Sequence, residues 1–131
     1  MSARAERCRA SVLLGCAVLL AACSEAERAH DFRQLAGPDG SVVTTTVVEP
    51  WFPQGPHQVV VYVQPTPAAP RVEVARTTLA YDGVPFTEAN INMSFTGQHA
   101  AIVCLRATDR PDRSVVVDTR QPPQGALRDG C

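Results

Sequence analysis

"NINMSF" (Asn90 to Phe95) alternates polar and apolar side chains without a break. Ile91, Met93 and Phe95 share one parity, and Asn90, Asn92 and Ser94 share the other. Successive side chains of a β-strand point to opposite faces, so this stretch predicts a strand with one face in a core and one in water. Its flanks supply strands to pair with. "SVVTTTVV" (Ser41 to Val48) and "HQVVVYVQ" (His57 to Gln64) are rich in Val and Thr, whose branching at Cβ suits an extended backbone. In "RVEVARTTLAY" (Arg71 to Tyr81), Val72 and Val74 share one parity and Leu79 and Tyr81 the other, which predicts a bulge or bend near Ala75 to Thr77. "HAAIVCLRA" (His99 to Ala107) and "SVVVDT" (Ser114 to Thr119) complete the set.

The connectors carry turn chemistry. Pro38-Asp39-Gly40, Asp82-Gly83 and Thr96 to Gln98 read as turns, and "DRPD" (Asp109 to Asp112) as a short hairpin loop. "EPWFPQGP" (Glu49 to Pro56) and "QPTPAAP" (Gln64 to Pro70) are proline-rich loops, because proline lacks the N–H that a central ladder needs. Together these signals predict an all-β fold, a small antiparallel β-sandwich of six or seven strands or a partly open barrel, over residues 40–119. No internal repeat is visible.

The N-terminus has a different character. "MSARAERCR" sets Arg4, Arg7 and Arg9 against Glu6, and "ASVLLGCAVLLAA" (Ala10 to Ala22) follows as thirteen uncharged residues. A basic start, a short apolar run and small residues before a break are the parts of a secretory signal. A helix that spans a bilayer needs about 20 apolar residues, so residues 1–22 read as a helical signal peptide that is cleaved. "LAAC" (Leu20 to Cys23) resembles the bacterial lipobox. That resemblance implies that Cys23 takes lipid (palmitate-type acylation), becomes the mature N-terminus and anchors the protein to a membrane. Ser24, standing where aspartate would retain the product in the inner membrane, implies the outer membrane. The alternative is an ordinary cleaved signal with Cys23 incidental. Residues 23–39 then read as a tether or short helix. Ser24 and Glu27 have capping-box spacing, Gly37-Pro38 supplies a stop, and Ala29, Phe32 and Leu35 or Ala36 fall near one helical face.

The chain has 131 residues, and removing residues 1–22 leaves 109, the size of one small domain. What remains carries nine arginines against twelve acids, with no lysine anywhere. No basic patch is present, which argues against nucleic acid as a partner and against electrostatic attachment to anionic lipid. Of the five cysteines, Cys8 and Cys16 leave with the signal and Cys23 is the lipid site. Cys104 and Cys131 remain as an even pair in an oxidising compartment. A disulfide between them would fasten residues 120–131, a tail with no evident structure of its own. The alternative is a buried thiol at Cys104 and a frayed terminus.

Signals of chemistry are sparse. His30, His57 and His99 lack partners at metal-ligand spacing, so neither a metal nor a cofactor is expected. A soft site combining His57 or His99 with Met93 or Cys104 is the one alternative. No G-x-S-x-G and no glycine-rich loop before a helix occurs, and Glu73, Asp82, Glu88 and Asp118 are scattered carboxylates that turns and solvated faces explain. No catalytic residue is assigned, and an enzyme is not expected. Trp51-Phe52 stands out, two large aromatics in a proline-bounded loop. They either close one end of the core, the commoner fate of such residues, or form an exposed anchor for a partner.

The order of elements resembles the YbaY/YscW-like lipoproteins, the β-sandwich group that includes type III secretion pilotins. The likeness covers about Ser41 to Pro122. It rests on the "AAP" loop (Ala68 to Pro70) leading to "VEVARTT" (Val72 to Thr78), then "GVPF" (Gly83 to Phe86), then a closing strand ending in Asp118-Thr119. Two features depart from the pattern, the cysteines at 104 and 131 and "DRPD" in place of a glycine turn. The resemblance implies a non-enzymatic lipoprotein of the outer membrane, facing the periplasm. Its sandwich would bind an envelope or secretion protein, as a pilotin-like chaperone does. The sequence also accommodates two other roles, a periplasmic small-ligand or metal-binding domain and a lipoprotein enzyme inhibitor.

Overall fold

The computed structural model describes residues 25–26, 28–52, 55–79, 87–107 and 110–131. The signal peptide, Cys23, Ser24, Glu27 and the "GVPF" segment lie outside these residues. The described residues form eight strands: β1 (Ala29–Ala36), β2 (Val42–Val48), β3 (His57–Gln64), β4 (Val72–Leu79), β5 (Ile91–Phe95), β6 (Ala100–Ala107), β7 (Arg110–Asp118) and β8 (Gln124–Asp129). They make two four-stranded antiparallel sheets, ordered β1-β2-β3-β4 and β5-β6-β7-β8. Each sheet is a simple meander. The sheets stack with β1 beside β5 and β4 beside β8.

The all-β sandwich is as expected, and the six segments read from the sequence are β2 to β7. The strand count and the domain limits are not. Residues 29–36 are a strand rather than a tether or helix, and residues 124–129 are a strand rather than a tail, so the sandwich extends well beyond 40–119 on both sides.

The error at β1 has a physical cause. A bulge lies between Asp31 and Arg33, which leaves Phe32 as the extra residue. The bulge shifts the parity of the strand, so the half-buried residues fall at Ala29, Phe32 and Leu35. That spacing of three imitates a helical face. A second bulge sits at Val74, opposite the step from Val61 to Tyr62, one residue before the span expected for it. Strand β7 begins at Arg110, so Pro111 and Asp112 lie within the strand rather than in a loop, at a point where the register shifts. Pro111 is tolerated because the register shifts between Leu105 and Ala107 opposite it.

Val43, Val47, Val59, Val61 and Val63 from the first sheet meet Ile91, Val103, Leu105, Val115 and Val117 from the second, all fully buried. Met93 and Phe95 pack against this cluster on the parity anticipated for them. Two edges close the sandwich. At one, Arg33 of β1 donates from Nη1 to the Ile91 carbonyl at 2.8 Å. At the other, Gly125 of β8 lies so near β4 that a Cβ there would stand 2.7 Å from the Val74 carbonyl oxygen.

The outer face of the first sheet is bridged by one long side chain. The Arg71 guanidinium sits 4.7 Å from the Tyr62 ring centroid on β3 and holds both Asp31 carboxylate oxygens on β1, at 2.9 and 3.1 Å. Its hydrogen bond to Asp31 is the main cause of that carboxyl's lowered pKa.

Candidate functional site

The two ends of the sandwich differ in chemistry. One end carries the β1–β2, β5–β6 and β7–β8 connections, here called the turn end. The other carries residues 25, 26 and 28 and the described residues of the β2–β3 loop, here called the N-terminal end.

At the turn end, Asp39 holds the two sheets together. Its Oδ1 accepts from the Ser41 N–H at 3.0 Å and the Ser41 hydroxyl at 2.5 Å. Its Oδ2 accepts from the Thr119 hydroxyl at 2.5 Å and lies 2.9 Å from His99 Nδ1. Ser41 belongs to the first sheet's turn, while His99 and Thr119 flank strands of the second. Burial alone would raise the Asp39 pKa. The hydrogen bonds from Ser41, Thr119 and His99 outweigh it and hold the carboxyl well below the ordinary carboxylate range. An aspartate on a histidine is the orienting half of a catalytic pair, but the Ser41 and Thr119 hydroxyls donate to the carboxylate rather than to the imidazole. The arrangement works as a clasp.

Because the folded-state pKa of Asp39 is depressed, its stabilisation is complete above the unfolded value of about 3.9 and is lost as pH falls from there through the folded value. Asp39→Asn should therefore lower the melting temperature at neutral pH and flatten its decline in acid. Melting curves recorded from about pH 5 down to about pH 2 test this. Parallel profiles for the two proteins would exclude the clasp. Asp39→Ala should cost more, about 1–3 kcal/mol for each hydroxyl left without a partner, since Ser41 and Thr119 are buried.

Beside the clasp the second sheet opens a concavity of about 560 Å³. Ala100 of β6, Val116 of β7 and Ala126 of β8 line it from the strands, with His99, Arg120 and Gln124 around them. Val116 is 39% exposed, an apolar side chain standing open on a sheet face. Arg120 is fixed by a two-pronged pair with Asp118, from Nε at 3.0 Å and Nη2 at 2.5 Å. Chiefly through that pair, and next through the Arg120 backbone N–H, the Asp118 carboxyl is lowered to about 2. The concavity is thus apolar across its strands, with fixed charge of both signs at its border.

At the N-terminal end, Trp51 is 69% and Phe52 76% exposed. They do not close the core, whose inward positions valines already fill. The described residues of the loop are tied down. The Gly55 N–H donates to the Phe52 carbonyl at 2.9 Å, and the Glu49 N–H to the Arg28 carbonyl at 3.1 Å. Arg28 Nη1 donates to the Glu49 carbonyl, and the guanidinium lies 4.6 Å from the Trp51 ring centroid.

The soft-metal set does not assemble. His57 begins β3 at the N-terminal end, His99 belongs to the clasp at the opposite end, and Met93 points inward against the Thr45 hydroxyl at 3.8 Å. Cys104 is bonded to Cys131, with 5.6 Å between Cα atoms. Asp112 lies close to both sulfurs, but a disulfide offers no thiolate to a metal. No family model, curated protein or solved structure matches this chain.

The sequence reading missed the Asp39 clasp and the concavity. Asp39 was legible only as a turn residue and His99 only as a strand-end histidine. Sixty residues separate them, and no local pattern links the two.

Proposed function

We propose that this protein is a lipid-anchored outer-membrane lipoprotein whose β-sandwich is an interaction module rather than an enzyme. In this reading Cys23 carries the anchor and the domain faces the periplasm. The concavity of the second sheet receives a segment of another envelope protein, in the manner that the likeness to pilotin-type lipoproteins implies. The observation that carries the reading is the open, largely apolar floor at Ala100, Val116 and Ala126. A peptide laid there can bury apolar side chains against the floor and meet the Asp118–Arg120 pair at its border, a combination typical of peptide-binding faces. The placement adds support, because the concavity is at the end of the sandwich far from residues 25, 26 and 28 and hence from a lipid at Cys23.

Val116→Arg tests it. Val116 points away from the core, so melting should change by no more than about 0.5 kcal/mol. Envelope proteins cross-linked to the wild-type domain should no longer be captured by the variant. An unchanged set of captured proteins would remove the concavity as the binding face.

A further inference from the structure

We propose that Trp51, Phe52 and Arg28 form a foot that rests in the interfacial layer of the lipid bilayer and stands the sandwich on its N-terminal end. The proposal rests on the lipid anchor of the preceding section and adds to it the surface that touches the membrane. Cys23 lies five residues before Arg28. Five residues span at most about 18 Å when fully extended, so an acyl group on Cys23 holds Arg28 close to the bilayer. Arg28 is tied to the β2–β3 loop through Glu49 and stacks on Trp51, so the loop is held there with it.

The chemistry of that loop suits the boundary between water and acyl chains. Tryptophan is enriched at this level because its ring is apolar and its N–H polar. Phe52 adds an apolar side chain, and the Arg28 guanidinium, held on the Glu49 carbonyl and over the indole, keeps Trp51 in place. The described residues of the loop are held together: the Gly55 N–H donates to the Phe52 carbonyl, and a Cβ on Gly55 would meet the Pro50 ring at 2.7 Å. Glu49 lies beside the foot, and Glu25 is paired with Arg76 at 2.9 Å. With these acids at hand the contact draws on apolar and interfacial energy, not on attraction to anionic lipid. It should be nearly indifferent to salt and to anionic lipid content.

The acyl anchor supplies the affinity, and the foot sets the orientation. Strand β2 has seven residues, which at about 3.3 Å each lifts the turn end and its concavity roughly 20 Å from the surface. The concavity then lies at the end of the sandwich away from the membrane, open to a partner in the periplasm.

The chain reports on this contact itself, because Trp51 is its sole tryptophan. The acylated protein is reconstituted in phosphatidylcholine vesicles, with and without phosphatidylglycerol. Flotation of the vesicles reads the anchor. The emission of Trp51, and its quenching by lipids brominated near the headgroup, read the foot. The expected result is flotation with a blue-shifted emission that shallow brominated lipids quench equally in both vesicle types, at low and high salt. Phe52→Ser should float and melt as the wild type does while losing much of the shift and the quenching. Flotation with a water-like, unquenched Trp51 overturns the foot and leaves the anchor standing. If the wild type does not float, or if Cys23→Ser floats equally well, the anchor fails and the foot with it. A photo-crosslinker at position 52 that captures protein instead of lipid would assign the loop to a protein partner and overturn the bilayer contact.

Discussion

Ile91→Ala should destabilise the protein by about 2–5 kcal/mol, the cost of deleting a large buried aliphatic group from a core that cannot fully collapse. Ile91 is completely buried and stands where the two sheets meet, with Leu105 directly opposite it on β6. Domains of this size have about 5–15 kcal/mol in total, so the loss is a large share of what holds the fold. Phe95→Ala, on the same strand face but only half-buried, should cost toward the lower end of the about 3–5 kcal/mol range for phenylalanine. Asn92 points outward opposite Cys104, and its replacement by alanine should stay within about 0.5 kcal/mol. Denaturant midpoints and slopes of the three variants test the order. Equal midpoints for Ile91→Ala and Asn92→Ala would refute the facing of β5.

A coupled pair sharpens this test. A Cβ on Gly37 would stand 2.3 Å from Phe95 Cζ, so Gly37→Ala must displace the ring and should cost about 1–3 kcal/mol as overpacking. With Phe95 already alanine the same substitution should cost less, the remainder coming from Asp39 Oδ1, which the Cβ would meet at 2.9 Å. Additive effects would mean that the ring is not seated on Gly37.

What the sequence disclosed follows from how each strand is buried. β5 has one face in the core, β2 is valine and threonine throughout, and β3 carries valine at 59, 60, 61 and 63, so their patterns are plain. β1 and β8 give the core little apolar surface, unlike β5, which is also an edge strand. In β8 five of six residues are exposed, so "QGALRD" carries no alternation to find. In β1 the bulge at Phe32 turned a period of two into an apparent period of three. The candidate sites were harder still to see. The concavity is built by backbone register among three strands, and the Asp39 clasp by contacts across sixty residues. Trp51 and Phe52 stand out in the sequence as a pair, but nothing local tells core from solvent. Their exposure depends on whether the valines of β2 and β3 fill the interior, a property of the assembled sheets.

Breaking the Cys104–Cys131 bond should have the other large effect, and a more local one. The bond closes 27 residues of chain, and loop-closure entropy for that length corresponds to about 3.5 kcal/mol. The loss should appear mainly at β8. That strand is tied to β7 by its ladder from Asp118–Gln124 to Arg113–Asp129, but its mostly exposed side chains give it little apolar hold. Cys131 lies beyond it and is brought back over β7, where the Gly130 N–H donates to the Asp112 carbonyl at 2.8 Å. The disulfide thus clamps the free end of an edge strand across its neighbour onto β6. In Cys131→Ser the remaining Cys104 thiol stays nearly buried, which a small apolar side chain tolerates, so the cost comes from the missing crosslink rather than from a buried group without a partner. The variant should melt lower by about that free energy, and reduction of the wild type should reproduce the shift. Hydrogen exchange should show amides of residues 124–129 losing protection well before those of β6 or β3. If reduction leaves both the melting temperature and the β8 amides unchanged, the ladder alone holds the edge, and the disulfide contributes nothing to the folded domain.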